Sequence, residues 1–176
     1  ILVISYTISH VQCSTNETQK PTNEMVQKIC THTSDHSFCV KALYTDTRTQ
    51  DADLYTLAFI AVGMAYNNVS ATQGRIDELL KTAKSMPASR RKGLERCSYN
   101  YGKAAKEFAL AYNDLNSETY FELGHYAGVA SRAVDDCRAA LRGAHEPGLL
   151  ESHNRDTKGF CEMVVVVGKL FTGEIE

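Results

Sequence analysis

Apolar residues recur every three or four positions over most of the chain, which is the spacing of amphipathic helices. The clearest example lies between Leu94 and Leu141, where two such patterns meet at a polar turn at residues 116–117. The apolar positions are Cys97, Tyr101, Ala104, Phe108, Ala111 and Leu115 in the first pattern, and Tyr120, Leu123, Ala127, Ala130, Val134, Cys137 and Leu141 in the second. This arrangement predicts two long antiparallel helices, which are half of a four-helix bundle.

The same spacing predicts helices on either side of this pair. Two short helices separated by the polar turn at residues 33–36 form a predicted hairpin over residues 23–45, with Asn23 as the first N-cap. A polar linker at residues 45–51 leads into a long helix that begins near residues 51–53 and ends before Pro87. The bundle is expected to span residues 51–172.

The last predicted helix, residues 154–171, contains the run 162–167, Glu-Met-Val-Val-Val-Val, which has strong β propensity. No second strand candidate exists along the chain, and an unpaired strand is not stable. Phe160, Val164, Val167 and Phe171 also fit a helical stripe. We therefore predict a buried helix here.

Six cysteines without a Cys-x-x-Cys pair or zinc-ligand spacing indicate disulfides. Two pairs lie symmetrically about predicted turns, and antiparallel neighbours place such residues at the same height. The predicted disulfides are Cys30 with Cys39 and Cys97 with Cys137. Cys13 and Cys161 could pair, but we expect Cys161 to be a free thiol in the core. The fold prediction is therefore all-α: an up-down four-helix bundle preceded by an N-terminal disulfide-linked helical hairpin.

The N-terminal segment has a different character. Residues 1–12 are apolar and too short to cross a membrane. We interpret residues 1–22 as the remnant of a secretory signal, cleaved near Cys13, followed by a disordered tail, and residues 23–176 as one domain. A buried N-terminal strand is the alternative. Two N-glycosylation sequons begin at Asn16 and Asn68, so a secreted glycoprotein is expected.

Charge and motifs exclude several functions. A net charge of −2 and a pI near 6.3 give no reason to expect nucleic acid or membrane binding. We find no phosphate-binding loop, metal-binding or nucleophile motif, and predict no cofactor, metal site or catalytic residue.

Asp135 and Asp136 could form the carboxylate pair of an enzyme, but adjacent helical positions point about 100° apart. Tyrosines beside the central helix pair instead favour a protein interface.

The chain resembles the plant invertase inhibitor and pectin methylesterase inhibitor family over about residues 24–172. The segments that carry the resemblance are Ile29-Cys30, residues 38–43, Asp53-Leu54 with Leu57-Ala58, residues 94–101, Asp136-Cys137 and the apolar helix after Cys161. The resemblance implies the same hairpin and bundle, two disulfides between sequence neighbours and a free fifth cysteine. It also implies a protein secreted to the apoplast and cell wall or to the vacuole, which inhibits an enzyme by forming a stoichiometric complex.

The resemblance also places target choice in the turn at residues 114–121. Invertase inhibitors carry a Pro-Lys-Phe motif at this point, whereas here proline and lysine are missing. Thr119-Tyr120 resembles the Asp-Tyr of the pectin methylesterase branch, so that enzyme is the preferred partner and acid invertase the alternative. The expected target-binding residues are Tyr99, Asn100, Tyr112, Asn113, Asn116, Ser117, Glu118, Thr119 and His125. A bundle that encloses a lipid or hormone is a further alternative.

Overall fold

The computed structural model describes residues 22–82, 86–146 and 148–175, which form six α-helices and no strand. The predicted signal remnant, Cys13 and Asn16 lie outside these residues. The helices are α1 (Glu24–Thr31), α2 (His36–Leu43), α3 (Leu54–Lys81), α4 (Ala88–Asn116), α5 (Leu123–Gly143) and α6 (Glu151–Thr172). The predicted all-α fold, a helical hairpin followed by a four-helix bundle, is confirmed.

Helices α3 to α6 form the bundle, in which α4 packs between α3 and α5, and α6 closes the ring against α5 and α3. Their apolar stripes meet in one core, where side chains such as Leu57, Phe108, Val134 and Val167 have no exposed surface. The valine-rich segment is helical, as predicted, and its residues Met163, Val164, Val166 and Val167 are buried in the core. Helix α6 begins at Glu151, three residues before the predicted start.

Polar contacts fasten the hairpin at both of its ends, to the linker before α3 at one end and to α6 at the other. The Asn23 side chain caps α1 by accepting from the Met25 backbone, and its amide donates to the carbonyls of Thr49 and Ala52 at 2.8 Å each. At the other end, the Glu162 carboxylate accepts from the backbone and hydroxyl of Ser34. The hairpin is therefore held by polar contacts as well as by its disulfide.

The predicted polar linker at residues 45–51 has local structure of its own. It contains a 3₁₀ turn, Thr47–Asp51, in which Thr49 is fully buried and its hydroxyl donates to the Leu43 carbonyl at 2.6 Å. The sequence pattern does not indicate this burial, because every residue of the segment is polar and burial of Thr49 depends on a hydrogen bond that no periodic pattern marks.

Both predicted disulfides are present, Cys30–Cys39 within the hairpin and Cys97–Cys137 between α4 and α5. Cys161 forms no disulfide with any other described residue and is 1% exposed. Burial raises the pKa of its thiol to about 12, so it stays protonated and unreactive in the folded protein.

Candidate functional site

The turn between α4 and α5 is closed by backbone hydrogen bonds of the Schellman type. Beyond the last residue of α4, the Thr119 N–H donates to the Asp114 carbonyl at 2.9 Å and the Glu118 N–H donates to the Leu115 carbonyl at 3.1 Å. Glu118 has φ of +55°, the left-handed conformation that this motif requires. The turn therefore has one defined backbone path rather than an open loop.

Aromatic packing supports the turn from below. The Tyr120 ring stacks on Phe171 of α6 with centroids 4.2 Å apart and meets Tyr55 of α3 edge to face at 6.1 Å. The Tyr55 hydroxyl also donates to the Leu115 carbonyl at the end of α4. Burial raises the pKa of Tyr120, which keeps its hydroxyl neutral. Helices α3 and α6 thus both fix the position of the turn.

The residues above this support face solvent. We define the turn surface as the exposed side chains Asn113, Asn116, Ser117, Glu118, Thr119, Phe121 and His125. Phe121 is 79% exposed, the highest value among the large exposed hydrophobic side chains. Beside it, a groove of about 220 Å³ is lined by His125, Lys169 and Glu174.

Phe121, Lys169 and Glu174 were missed as site residues by sequence reasoning. Phe121 follows Tyr120 directly, and only the structure distinguishes the buried member of this aromatic pair from the exposed one. Lys169 comes from the last turn of α6 and Glu174 from just beyond its end, about 50 residues further along the chain than the turn. Their proximity depends on bundle packing, which gives no local sequence signal.

Three predicted target-binding residues lie away from the turn surface. Tyr99 and Asn100 are on the other half of α4, and Tyr99 lies 17 residues, or about 25 Å, before Asn116. Asn100 is only 7% exposed, so we remove it from the predicted interface. Tyr112 fills the seam between α3 and α4, where its ring meets Phe59 and its hydroxyl lies over Gly63.

Asn68, the second sequon, is in the middle of α3 and half-buried. Its side-chain oxygen accepts a hydrogen bond of 2.6 Å from the Thr157 hydroxyl of α6. This asparagine therefore contributes to packing between two helices, and its glycosylation remains an untested prediction.

The structure gives no support to an enzyme that uses Asp135 and Asp136. Asp135 forms ion pairs with Lys158 at 2.6 Å and Arg138 at 3.9 Å, whereas Asp136 lies on the α4 side, in a shallow hollow with Lys92. The two carboxylates thus serve different surfaces. Among the described residues, no cluster of histidine, cysteine, aspartate and glutamate is suited to a metal ion.

A lipid or hormone carrier is not supported either. The hollows found in the described part of the chain open to solvent, and each has charged or polar residues in its lining. The apolar stripes that would enclose such a ligand are instead buried against one another. None of the described helices combines the length and the hydropathy required to span a membrane.

These features define a class of protein, a disulfide-linked helical bundle that presents a rigid, solvent-exposed turn. The model of the plant invertase/pectin methylesterase inhibitor family matches residues 24–167, and the chain belongs to that family. It is an enzyme inhibitor and not an enzyme.

Relatives of both inhibitor types are found. The chain is 28% identical to a pectinesterase inhibitor from Actinidia deliciosa over 155 residues, which cover 88% of this chain and 83% of the relative. It is 32% identical to cell wall / vacuolar inhibitor of fructosidase 2 from Arabidopsis thaliana over 122 residues, 69% of this chain and 67% of the relative. A crystal structure of a mutant form of an Arabidopsis pectin methylesterase inhibitor has the same fold, with a TM-score of 0.70, 16% identity and coverage of 82% and 95% of the two chains.

Proposed function

We propose that this chain inhibits a plant pectin methylesterase by forming a stoichiometric complex that blocks the active-site cleft. The observation that carries the proposal is the turn surface, which is exposed, rigidly supported and free of any catalytic role. The similarity to the Actinidia deliciosa pectinesterase inhibitor over most of the chain supports the choice of target, as does the resemblance of Thr119-Tyr120 to the Asp-Tyr of that branch.

The geometry suits a steric mechanism. Phe121 can insert into a cleft as an aromatic anchor, and residues 116–119 supply polar groups around it, the usual pattern of an interface with a central hot spot. Because the Schellman bonds and the Tyr120–Phe171 stack already fix the turn, little conformational entropy is lost on binding. The bundle behind the turn would then exclude the polymeric substrate.

Acid invertase is the second candidate target. Phenylalanine is the one residue type of the Pro-Lys-Phe motif that this turn retains, and it is exposed. The Arabidopsis relative named as an inhibitor of fructosidase supports this alternative. The absence of the motif's proline and lysine favours pectin methylesterase.

We propose a secreted location, in the apoplast and cell wall or in the vacuole. Two disulfides are typical of an oxidising compartment, and one relative is named as a cell wall / vacuolar inhibitor.

The direct test is a titration of the purified protein against a plant pectin methylesterase and a plant acid invertase in parallel. We expect saturable inhibition of pectin methylesterase at a one-to-one ratio and much weaker inhibition of invertase. The reverse order would establish the second candidate. Inhibition of neither enzyme would contradict the proposed function and leave the family membership as a statement about fold.

Variants locate the contact. Phe121→Ala, and separately a scrambled order of residues 116–119, are expected to raise the inhibition constant about 10- to 100-fold, the usual cost of losing an interface anchor. Leu110→Ala is the matched control, because Leu110 of α4 is, like Phe121, an exposed apolar residue, at 44%, but lies outside the turn surface. Full inhibition by both turn variants, with melting temperatures unchanged, would exclude the turn as the contact.

A further inference from the structure

A second exposed surface runs along α4 from Lys92 to Lys106. It consists of Lys92, Arg96, Tyr99, Lys103 and Lys106, which we call the cationic stripe. Their spacing of four, three, four and three residues places all five on one face of the helix. The stripe extends about 21 Å along the helix axis. The stripe ends at Lys106, seven residues before Asn113, the first residue of the turn surface.

The positive charge of the stripe is not neutralised locally. Among the described residues, none of its four cations forms an ion pair or a side-chain hydrogen bond. Two carboxylates, Glu95 and Asp136, share a hollow with Lys92, Arg96 and Tyr99. The excess of positive charge is therefore greatest at Lys103 and Lys106, in a chain whose net charge is −2.

Tyr99 lies at the centre of the stripe and is 75% exposed. Among the described residues, no other aromatic ring packs against the Tyr99 ring. An aromatic face left open between cations can stack on a flat ligand ring while the cations pair with its anionic groups. Packing within the bundle gives no reason for a tyrosine at this position.

We propose that the cationic stripe binds an acidic polysaccharide, a linear polymer of uronic acid residues. The apolar C–H face of a pyranose ring fits against the Tyr99 ring, and carboxylates of neighbouring sugars reach Lys103 and Lys106 on one side and Arg96 on the other. The length of the stripe accommodates several consecutive sugars. The polymer would hold the inhibitor where esterified pectin is converted to free carboxylates.

A single-stranded nucleic acid has the same combination of rings and anions. We favour the polysaccharide because the chain as a whole is acidic, which opposes the dense phosphate charge of a nucleic acid, and because of the cell-wall location proposed above. To that extent the inference rests on the proposed function, but it does not depend on which enzyme is inhibited.

The test measures binding of the whole chain to polygalacturonate, to the fully methyl-esterified polymer and to a single-stranded DNA oligonucleotide. We expect polygalacturonate to bind most tightly, with an affinity that falls as salt is added, because the contacts are exposed. Equal binding of the esterified polymer would overturn the proposal, since that polymer lacks the carboxylates. DNA bound as tightly as polygalacturonate would overturn it as well, by showing a non-specific polyanion surface.

Variants of the stripe provide the second part of the test. Lys103→Gln with Lys106→Gln should weaken polygalacturonate binding about three- to tenfold, in keeping with two exposed ionic contacts. The control, Lys28→Gln with Lys41→Gln, removes two exposed charges from the hairpin and should have no effect. Tyr99→Ala should weaken binding and Tyr99→Phe should restore it. An equal effect of the hairpin control would refute the assignment.

Enzyme inhibition separates this inference from the proposed function. The Lys103→Gln and Lys106→Gln variant should inhibit its target as well as the parent chain does. Loss of inhibition together with loss of polymer binding would mean that the stripe contacts the enzyme, and would overturn the polysaccharide site. Failure of the parent chain to inhibit either enzyme, with polymer binding retained, would contradict only the proposed function.

Discussion

Two residues in the described part of the chain other than glycine have a left-handed backbone, Glu118 with φ of +55° and His145 with φ of +59°. Each is the residue after the C-cap of a bundle helix, at opposite ends of the bundle. Both helices end with the paired hydrogen bonds of the Schellman motif, in which glycine is usual. A residue with a Cβ atom is less favourable at such a position by about 1–2 kcal/mol.

This geometry predicts that Glu118→Gly and His145→Gly each stabilise the protein. The relief of backbone strain exceeds the greater entropy of glycine in the unfolded chain, so we expect a gain of about 0.5–1 kcal/mol. Urea unfolding measures this gain in the free energy of unfolding. Because Glu118 belongs to the turn surface and His145 does not, only Glu118→Gly should weaken inhibition. A loss of stability in both variants would contradict the assigned backbone conformations.

At the scale of elements, α6 is the helix whose conformation depends most on packing against its neighbours. Its valine-rich segment has a local preference for a strand. In the first half of the helix, buried polar groups hold α6 against α4 and α3. The Tyr101 hydroxyl donates to Asn154 Oδ1 at 2.9 Å, and the Thr157 hydroxyl donates to Asn68 Oδ1 at 2.6 Å. Asn154 is fully buried, and its Nδ2 has no hydrogen-bond partner among the residues that the structure describes. These bonds set the register of three helices.

Tyr101→Phe should therefore destabilise the protein although the core volume hardly changes. Loss of the hydroxyl leaves Asn154 Oδ1 buried without a donor, which costs about 1–3 kcal/mol. The control is Tyr99→Phe, because the Tyr99 side chain is exposed and should tolerate the change. Denaturant unfolding monitored by circular dichroism gives both values. Equal stability of the two variants would show that the hydroxyl does not fix this register.

The sequence predicted the elements and their order because helical periodicity and the placement of cysteines are local signals. It predicted both disulfides for the same reason, since Cys97 and Cys137 lie at matching distances from one turn. The site was predicted only in part. Tyr99 and Asn113 both lie on the polar face of α4, and nothing in that pattern shows that Tyr99 is far from the turn. The exposure of Phe121 depends on Tyr120 occupying the space between α3 and α6.

At the scale of the whole molecule, the two disulfides brace different units. Cys30–Cys39 joins residues nine apart within the hairpin, and Cys97–Cys137 joins residues 40 apart in two bundle helices. In the chain-entropy model they contribute about 2.6 and about 3.9 kcal/mol respectively. Two helices of eight residues are not stable alone, so the hairpin depends on its disulfide and on docking.

Replacement of each pair by alanine should therefore have different effects. Cys97→Ala with Cys137→Ala should lower the free energy of unfolding of the whole chain by about 4 kcal/mol. Cys30→Ala with Cys39→Ala should chiefly release the hairpin, with faster amide exchange there and near-parental protection in α4 and α5. Hydrogen exchange followed by mass spectrometry separates the two patterns. Uniform loss of protection in both variants would show that the hairpin and the bundle unfold as one unit.

The free energy of unfolding should also fall at alkaline pH, because two ionisable groups are buried in the centre of the bundle. Burial raises the pKa of Cys161 from 9.0 to about 12 and that of Tyr101 from 10.0 to about 12. Between the ordinary and the raised pKa of each group, the folded chain retains a proton that the unfolded chain has lost. Unfolding therefore releases protons, and raising the pH favours unfolding. The stabilisation is complete below pH 9 and is lost progressively towards pH 12. Melting temperatures across this range should decline less steeply for Cys161→Ala than for the parent, because alanine cannot ionise in the unfolded chain. Parallel curves for the two proteins would mean that the thiol does not contribute to the alkaline transition.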